Sequence, residues 1–194
     1  MTRGRTTRER LLDAAAEILE EEGLERLNTN AIAARAGVTP PTVYRNFRNK
    51  EDVLVVLARR FLEAEKAWLS GAENSITQQA CVDSAVSTLI ESYWESARRH
   101  RGIVALRSAM RVSPALREVE EQSLQSSTET VSDVLLPLLP KLTDEQRMRT
   151  ARYIVEMVCS AVDRCYTLVH DEQDWRIAKL KRSVTAFVAA EAAQ

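Results

Sequence analysis

Two adjacent prolines, Pro40 and Pro41, constrain this chain more than any other pair of its residues. Proline lacks the amide hydrogen that a helix interior needs, and its ring clashes with the preceding turn. A pair therefore fits a helix only in the first turn, where those N–H groups have no intrahelical acceptor. The residues upstream suit such a start. Gly37 permits a sharp backbone turn, Val38 can plug it, and Thr39 stands at the N-cap with Pro40 first in the helix. Before them, Asn28 caps another short helix whose Ile32, Ala33 and Ala36 form a small apolar stripe. Asn28 to Lys50 thus reads as two short helices hinged at Gly37.

Val43 and Phe47, four residues apart, turn one side of the second short helix into a core and leave Pro41, Thr42, Arg45 and Asn46 facing outward. Between Thr39 and Lys50 there are three cations (Arg45, Arg48, Lys50) and no acid, and the first ten residues set Arg3, Arg5, Arg8 and Arg10 against Glu9 alone. The whole chain has a net charge of −1, so nucleic-acid binding has to come from this local concentration. The outward residues match base edges: Arg45 suits guanine O6 and N7, Asn46 suits adenine, and Pro41 and Thr42 suit a thymine methyl. Lys50, and the N-terminus of the helix it begins, suit phosphate.

The rest of the chain is helical in pattern. Thr6 and Glu9 form a capping box, Leu12, Ala15, Ala16 and Leu19 give a first helix one buried face, and Gly23 ends it. The acidic run Glu20 to Glu22 reads as a solvated face. Asn49 caps a connector over residues 50–69, and Ser70 to Ser75 read as a loop. A helix of about 25 residues then ends near Arg98–Arg101, which suit a helix C-terminus. Ile103 to Arg111 and Ala115 to Leu139 follow, the latter punctuated by Pro137 and Pro140. Two last long helices, about 144–170 and 175–190, flank a turn at Asp171 to Asp174. Both have broader apolar stripes than one core needs, Ile154, Val158 and Val162 being extended sideways by Tyr153 and Met157. A broad stripe serves two partners, the domain's own core and a second copy packed as a four-helix bundle.

The run Ile-Ala-Ala-Arg-Ala-Gly-Val-Thr-Pro-Pro-Thr-Val-Tyr-Arg-Asn-Phe-Arg-Asn-Lys-Glu-Asp-Val-Leu, from Ile32 to Leu54, closely resembles the DNA-binding signature of the tetracycline-repressor (TetR) family of bacterial regulators. The resemblance covers Thr6 to Phe61. It implies that the helix from Pro40 to Phe47 enters the major groove, that Tyr44 contacts the DNA backbone or a thymine, and that Lys50 binds phosphate. Pro41, Thr42, Arg45 and Asn46 match base-facing positions, and Thr29 and Asn30 start the supporting helix. Pro40 departs from the pattern, since many members place a base-contacting residue there. With Thr39 these residues make up the expected DNA-binding set. The resemblance further implies a homodimer through the last two long helices and a ligand cavity in the C-terminal domain. Trp94, Arg107, Met110, Met157, Arg164 and Tyr166 are the large or semi-polar groups expected to wall it. Arg107 and Arg111 also have the spacing to hold an anion.

Catalysis finds no support. The two histidines, His100 and His170, stand apart, and there is no glycine-rich phosphate loop, His-Glu-x-x-His or nucleophile elbow. Cys81, Cys159 and Cys165 have no metal-type spacing, and Cys159 and Cys165 fall on different faces of one helix, so neither metal site nor redox pair is expected. No cofactor is implied. Three cysteines that cannot all pair within one chain, and no long apolar run, fit a cytoplasmic protein.

The expectation is an all-α chain: a helix-turn-helix head over residues 1–50, a connector starting at 50, and a ligand-binding and dimerisation domain over 70–194. Its expected function is that of a sequence-specific repressor released from a palindromic operator by a small molecule. The alternative is a protein-interaction module with only non-specific DNA affinity.

Overall fold

The computed structural model describes residues 6–76, 81–99, 103–110, 113–166 and 168–193. Among these residues the regular structure is all helix, from α1 (Thr7–Glu21), α2 (Thr29–Arg35), α3 (Pro40–Asn46) and α4 (Lys50–Ile76) through α5 (Val82–Arg99) and α6 (Ile103–Met110) to α7 (Pro114–Leu135), α8 (Asp144–Cys165) and α9 (His170–Ala192). The chain divides into two compact units, residues 1–62 with 100–120 and residues 63–99 with 121–194. Residues 100–120 cluster with the N-terminal unit. Arg3, Arg5, His100, Arg101 and Arg111 lie outside the described residues.

In the first unit the capping box forms as the sequence predicts. Thr6 Oγ1 accepts from the Glu9 amide at 3.2 Å, and Glu9 accepts from the Thr6 amide at 2.7 Å. Gly23 follows α1 with φ 81°, and its amide reaches back to the Ile18 carbonyl. Leu11, Ala15 and Ile18 of α1 are buried, as are Leu27, Ile32 and Val43, and α1 packs on both α2 and α6. The acidic end of α1 is more than a solvated face. Arg35, closing α2, pairs with Glu21 at 2.9 Å and Glu22 at 2.8 Å, and stands 3.5 Å from Glu17. These contacts offset the unfavourable dipole at that end and tie α2 to α1.

Three element boundaries depart from the sequence expectation. Ser70 to Ser75 continue α4 to Ile76 instead of forming a loop. A lone Gly71 costs a helix only about 1 kcal/mol, and no proline is there to stop it. α7 stops at Leu135, four residues early, because Pro137 has no amide hydrogen to continue the helical ladder. α8 ends at Cys165, and Asp171 to Asp174 belong to α9 rather than to a turn. Asp171 and Glu172 occupy the first turn of α9, where the helix dipole favours acids, and Gln173 donates to the carbonyls of Cys165 (3.1 Å) and Leu168 (2.8 Å).

The second unit is a bundle in which α5 packs against α8 and α9, and α8 against α9. Its core gathers Ile90, Tyr93 and Trp94 with Val155, Val162, Leu180 and Val184. Arg152 of α8 holds Glu121 of α7 through two hydrogen bonds of 3.0 and 3.1 Å and also pairs with Glu156. The guanidinium holds the Glu121 carboxyl below the usual carboxylate range, chiefly through that hydrogen bond. Lys181 of α9 pairs with Glu91 of α5. Among the described residues no helix is long and apolar enough to cross a membrane, and no group of His, Cys, Asp and Glu is placed to hold a metal ion.

Candidate nucleic-acid interface and apolar cavity

Gly37 turns the chain between α2 and α3 at φ 65°, in the left-handed region that favours glycine. The Val38 amide donates to the Ala33 carbonyl at 2.9 Å, and the Gly37 amide to that of Ala34 at 3.2 Å, closing the end of α2. Arg10 of α1 donates through Nη2 to the Ala36 carbonyl at 2.6 Å. The hinge is therefore fixed from a helix 26 residues away, a link with no local sequence signal.

Thr39 occupies the N-cap of α3 without a side-chain cap bond, contrary to the sequence reading. An N-cap hydroxyl accepts from the second or third amide of the helix. Pro41 has removed the second, and the third, on Thr42, donates to the Thr39 carbonyl at 2.9 Å. The Thr39 hydroxyl instead bonds that of Thr42 at 3.1 Å, and Arg45 Nη2 donates to the Thr42 hydroxyl at 3.0 Å. Residues 39, 42 and 45 thus form one hydrogen-bonded row along the outward side of α3.

Val43 and Phe47 pin the opposite side, 0% and 3% exposed. Pro40, Pro41, Tyr44 and Arg45 are exposed, and Thr42 and Asn46 are half-buried. Asn46 donates to the Thr42 carbonyl at 2.8 Å, leaving its amide oxygen directed elsewhere. Tyr44, 57% exposed, shares a 3.1 Å hydrogen bond with Thr29 at the start of α2, while Asn30 beside it is exposed. Lys50 donates to the Leu24 carbonyl at 2.9 Å, so it braces the loop after α1 in addition to standing at the start of α4. Arg8, one of the N-terminal cations counted in the local positive charge, lies with its guanidinium 5.1 Å above the Phe47 ring. The ten predicted residues are brought together on α2, α3 and the start of α4. With Arg8 and Arg48 they present guanidinium, amide and hydroxyl groups with no acidic residue in α3.

The second unit contains a different kind of site. A cavity partly open to solvent lies among residues of α4, α5, α7, α8 and α9. Its wall is aliphatic, with Val86, Val131, Val155 and Val184 representative. Only Tyr93, Ser127 and Cys159 among its described lining residues carry a side-chain heteroatom, and none of them is charged. None of the six residues singled out from sequence is among the cavity's described lining residues. Trp94 and Tyr166 pair with each other, ring centroids 6.1 Å apart. Met157 packs half-buried on the bundle core and Arg164 is exposed. Arg107 and Met110 are buried in α6, within the first unit. The described wall is mostly valines, leucines and isoleucines, which in sequence read like any core. Cys165 is fully buried, which pushes its thiol up, while Cys81 is exposed.

Residues 11–57 match the family described as "Bacterial regulatory proteins, tetR family", and residues 80–192 match "Tetracyclin repressor-like, C-terminal domain". The fatty acid metabolism regulator protein of Bacillus subtilis is 25% identical over 179 residues, covering 90% of this chain and 89% of that protein. The class D tetracycline repressor of Escherichia coli is 31% identical over 100 residues, 50% of this chain and 46% of that protein. A Rhodococcus transcriptional regulator superposes with TM-score 0.76 at 18% identity, covering 96% of this chain and 98% of its own. The regulator FadR of Bacillus subtilis, solved with stearoyl-CoA, does so with TM-score 0.65 at 21% identity over 94% of this chain and 97% of its own. With residues 11–57 and 80–192 both matched by models of this family, the chain belongs to the TetR family of DNA-binding transcription regulators.

Proposed function

We propose that this regulator is a homodimeric, sequence-specific repressor, released from a palindromic operator by a small molecule with an apolar body. The observation that carries the reading is the outward row on α3. It is cationic, free of acids, held in place by its own hydrogen bonds, and anchored from behind by Val43 and Phe47. In this reading Arg45 and Asn46 read base edges, Pro41 and Thr42 meet a thymine methyl, and Pro40 and Thr39 fix the approach of the helix. Tyr44 with Thr29, Asn30 and Lys50 grip the backbone.

Exposed positions on α8 and α9 support pairing with a second copy. Tyr153 is 55% exposed and lies 5.3 Å, centroid to centroid, from the half-buried Phe187, and Ala186, Ala189 and Ala190 leave room for close helix approach. A two-fold four-helix bundle formed there would carry two heads to half-sites roughly one helical turn apart or somewhat more. The apolar lining of the cavity supports a ligand with an apolar body. The relative that regulates fatty acid metabolism, and the FadR structure with stearoyl-CoA, support an acyl chain as its body. A ligand that binds better to the conformer with misplaced heads weakens DNA binding by the same factor, typically about 5- to 150-fold. Selection from genomic fragments at physiological salt tests the reading. An inverted repeat is expected, and retention of unrelated fragments alone, as a non-specific interaction module would give, overturns it.

A further inference from the structure

We infer that the cavity reads a hydrocarbon chain and is blind to the polar group that the chain hangs from. The inference rests on the cavity being the effector site. Its chemistry is one-sided: among the described lining residues there is no Arg, Lys, His, Asp, Glu, Asn or Gln, and the three heteroatoms are those of Tyr93, Ser127 and Cys159. A carboxylate or phosphate drawn inside would lose its hydration with no counter-charge among the described lining residues to meet it, a loss far larger than a single hydroxyl can offset. Of the cations proposed from sequence, Arg107 and Arg164 are not among the described lining residues, and Arg111 lies outside the described residues. The head group therefore stays in water at the mouth while the chain fills the space between Val86, Val131, Val155 and Val184. Recognition is by length and bulk, and an acid, an ester and a thioester of one chain are equivalent to the site.

The test uses the full-length protein and three matched series from octanoyl to palmitoyl: free acids, methyl esters and coenzyme A thioesters, each below its aggregation concentration. Binding is measured directly by calorimetry, and release from operator DNA separately by anisotropy. Affinity is expected to rise about fourfold per methylene, the equivalent of ~0.8 kcal/mol for each CH₂ buried, until the cavity is full. At one chain length the three head groups should agree within about tenfold, a difference of ~1.4 kcal/mol. A thioester that binds a hundredfold tighter than the methyl ester, or affinities indifferent to chain length, would overturn the inference. Val131→Phe should move the optimum to shorter chains. Should that variant fail to fold, Ser127→Ala keeps the question decidable. It is expected to leave all three series unchanged, and a selective loss for one head group would mean that the head is held inside. Head-blind binding that fails to release DNA would leave the chain-reading site standing and remove its role as the effector site.

Discussion

Gly37→Ala isolates the contribution of the hinge between α2 and α3. With φ at 65°, any L-residue at this position lies in the left-handed region, which costs roughly 1–2 kcal/mol. Fewer unfolded conformations offset about 0.4–1 kcal/mol of that. Packing adds nothing, because a Cβ built there meets only Arg10 Nη2, at 3.6 Å, an ordinary contact. The net loss is therefore about 1 kcal/mol, or roughly 2–4 °C in melting temperature for a chain of this size. Asparagine tolerates the same region, so Gly37→Asn should cost less than alanine. Gly23, with φ 81° and open space around its Cβ position, is the matched control. Gly23→Ala should cost about the same stability and leave DNA affinity intact, whereas Gly37→Ala should weaken DNA binding as well, since it reorients α3. Urea denaturation with parallel anisotropy titrations reads both quantities. A Gly37→Ala variant at least as stable as the parent, or an asparagine variant worse than alanine, would refute the backbone explanation.

Arg45→Ala should cost roughly 1–3 kcal/mol of operator affinity and relax preference at one base pair, while Lys50→Ala should weaken all sequences alike and flatten the salt dependence. Parallel titrations on operator and random duplex separate the two, and equal losses on both duplexes for both variants would refute the assigned roles. Because Lys50 also bonds the Leu24 carbonyl, its variant should lose some thermal stability as well. The Glu121 carboxyl, held below its ordinary value of 4.5 by the hydrogen bond from Arg152, contributes stability above that value and loses it as pH falls through its folded one. Melting curves taken from neutral to acid pH should therefore stay level until the carboxylate range, and Glu121→Gln should soften the acid fall. An alkylating reagent at mildly alkaline pH should label the exposed Cys81 and spare the buried Cys165, whose thiol burial keeps protonated. Labelling of Cys165 at a comparable rate in the native protein would contradict this.

What could be read from the sequence followed local rules. Thr6 with Glu9, Gly23, Asn28, Gly37 and Asn49 are each understood from a few neighbours, and the structure places a cap or a turn at each of them. The all-helical class followed from the same residues and from the scarcity of glycine and proline. Local rules failed where they point both ways. Ser70 to Ser75 have loop-like composition, yet α4 runs through them, and the acids at 171 and 172 mark a helix start as readily as a turn. Contacts between distant residues were invisible. The sequence offers no reason to join Arg10 to Ala36, Arg35 to Glu21 or Arg152 to Glu121, separations of 26, 14 and 31 residues. The cavity was the least legible feature. A valine lining a void and a valine filling a core have the same periodicity, and only the packing of five helices tells them apart.

The most direct measurement is anisotropy of the full-length protein on its selected inverted repeat and on a scrambled duplex of equal length, each with and without a saturating long-chain methyl ester. Tight binding to the inverted repeat, roughly a thousandfold or more above the scrambled duplex and abolished by the ester, is the predicted result. Equal affinity for both duplexes, or a preference for the repeat that no apolar ligand alters, would contradict a ligand-released, sequence-specific repressor.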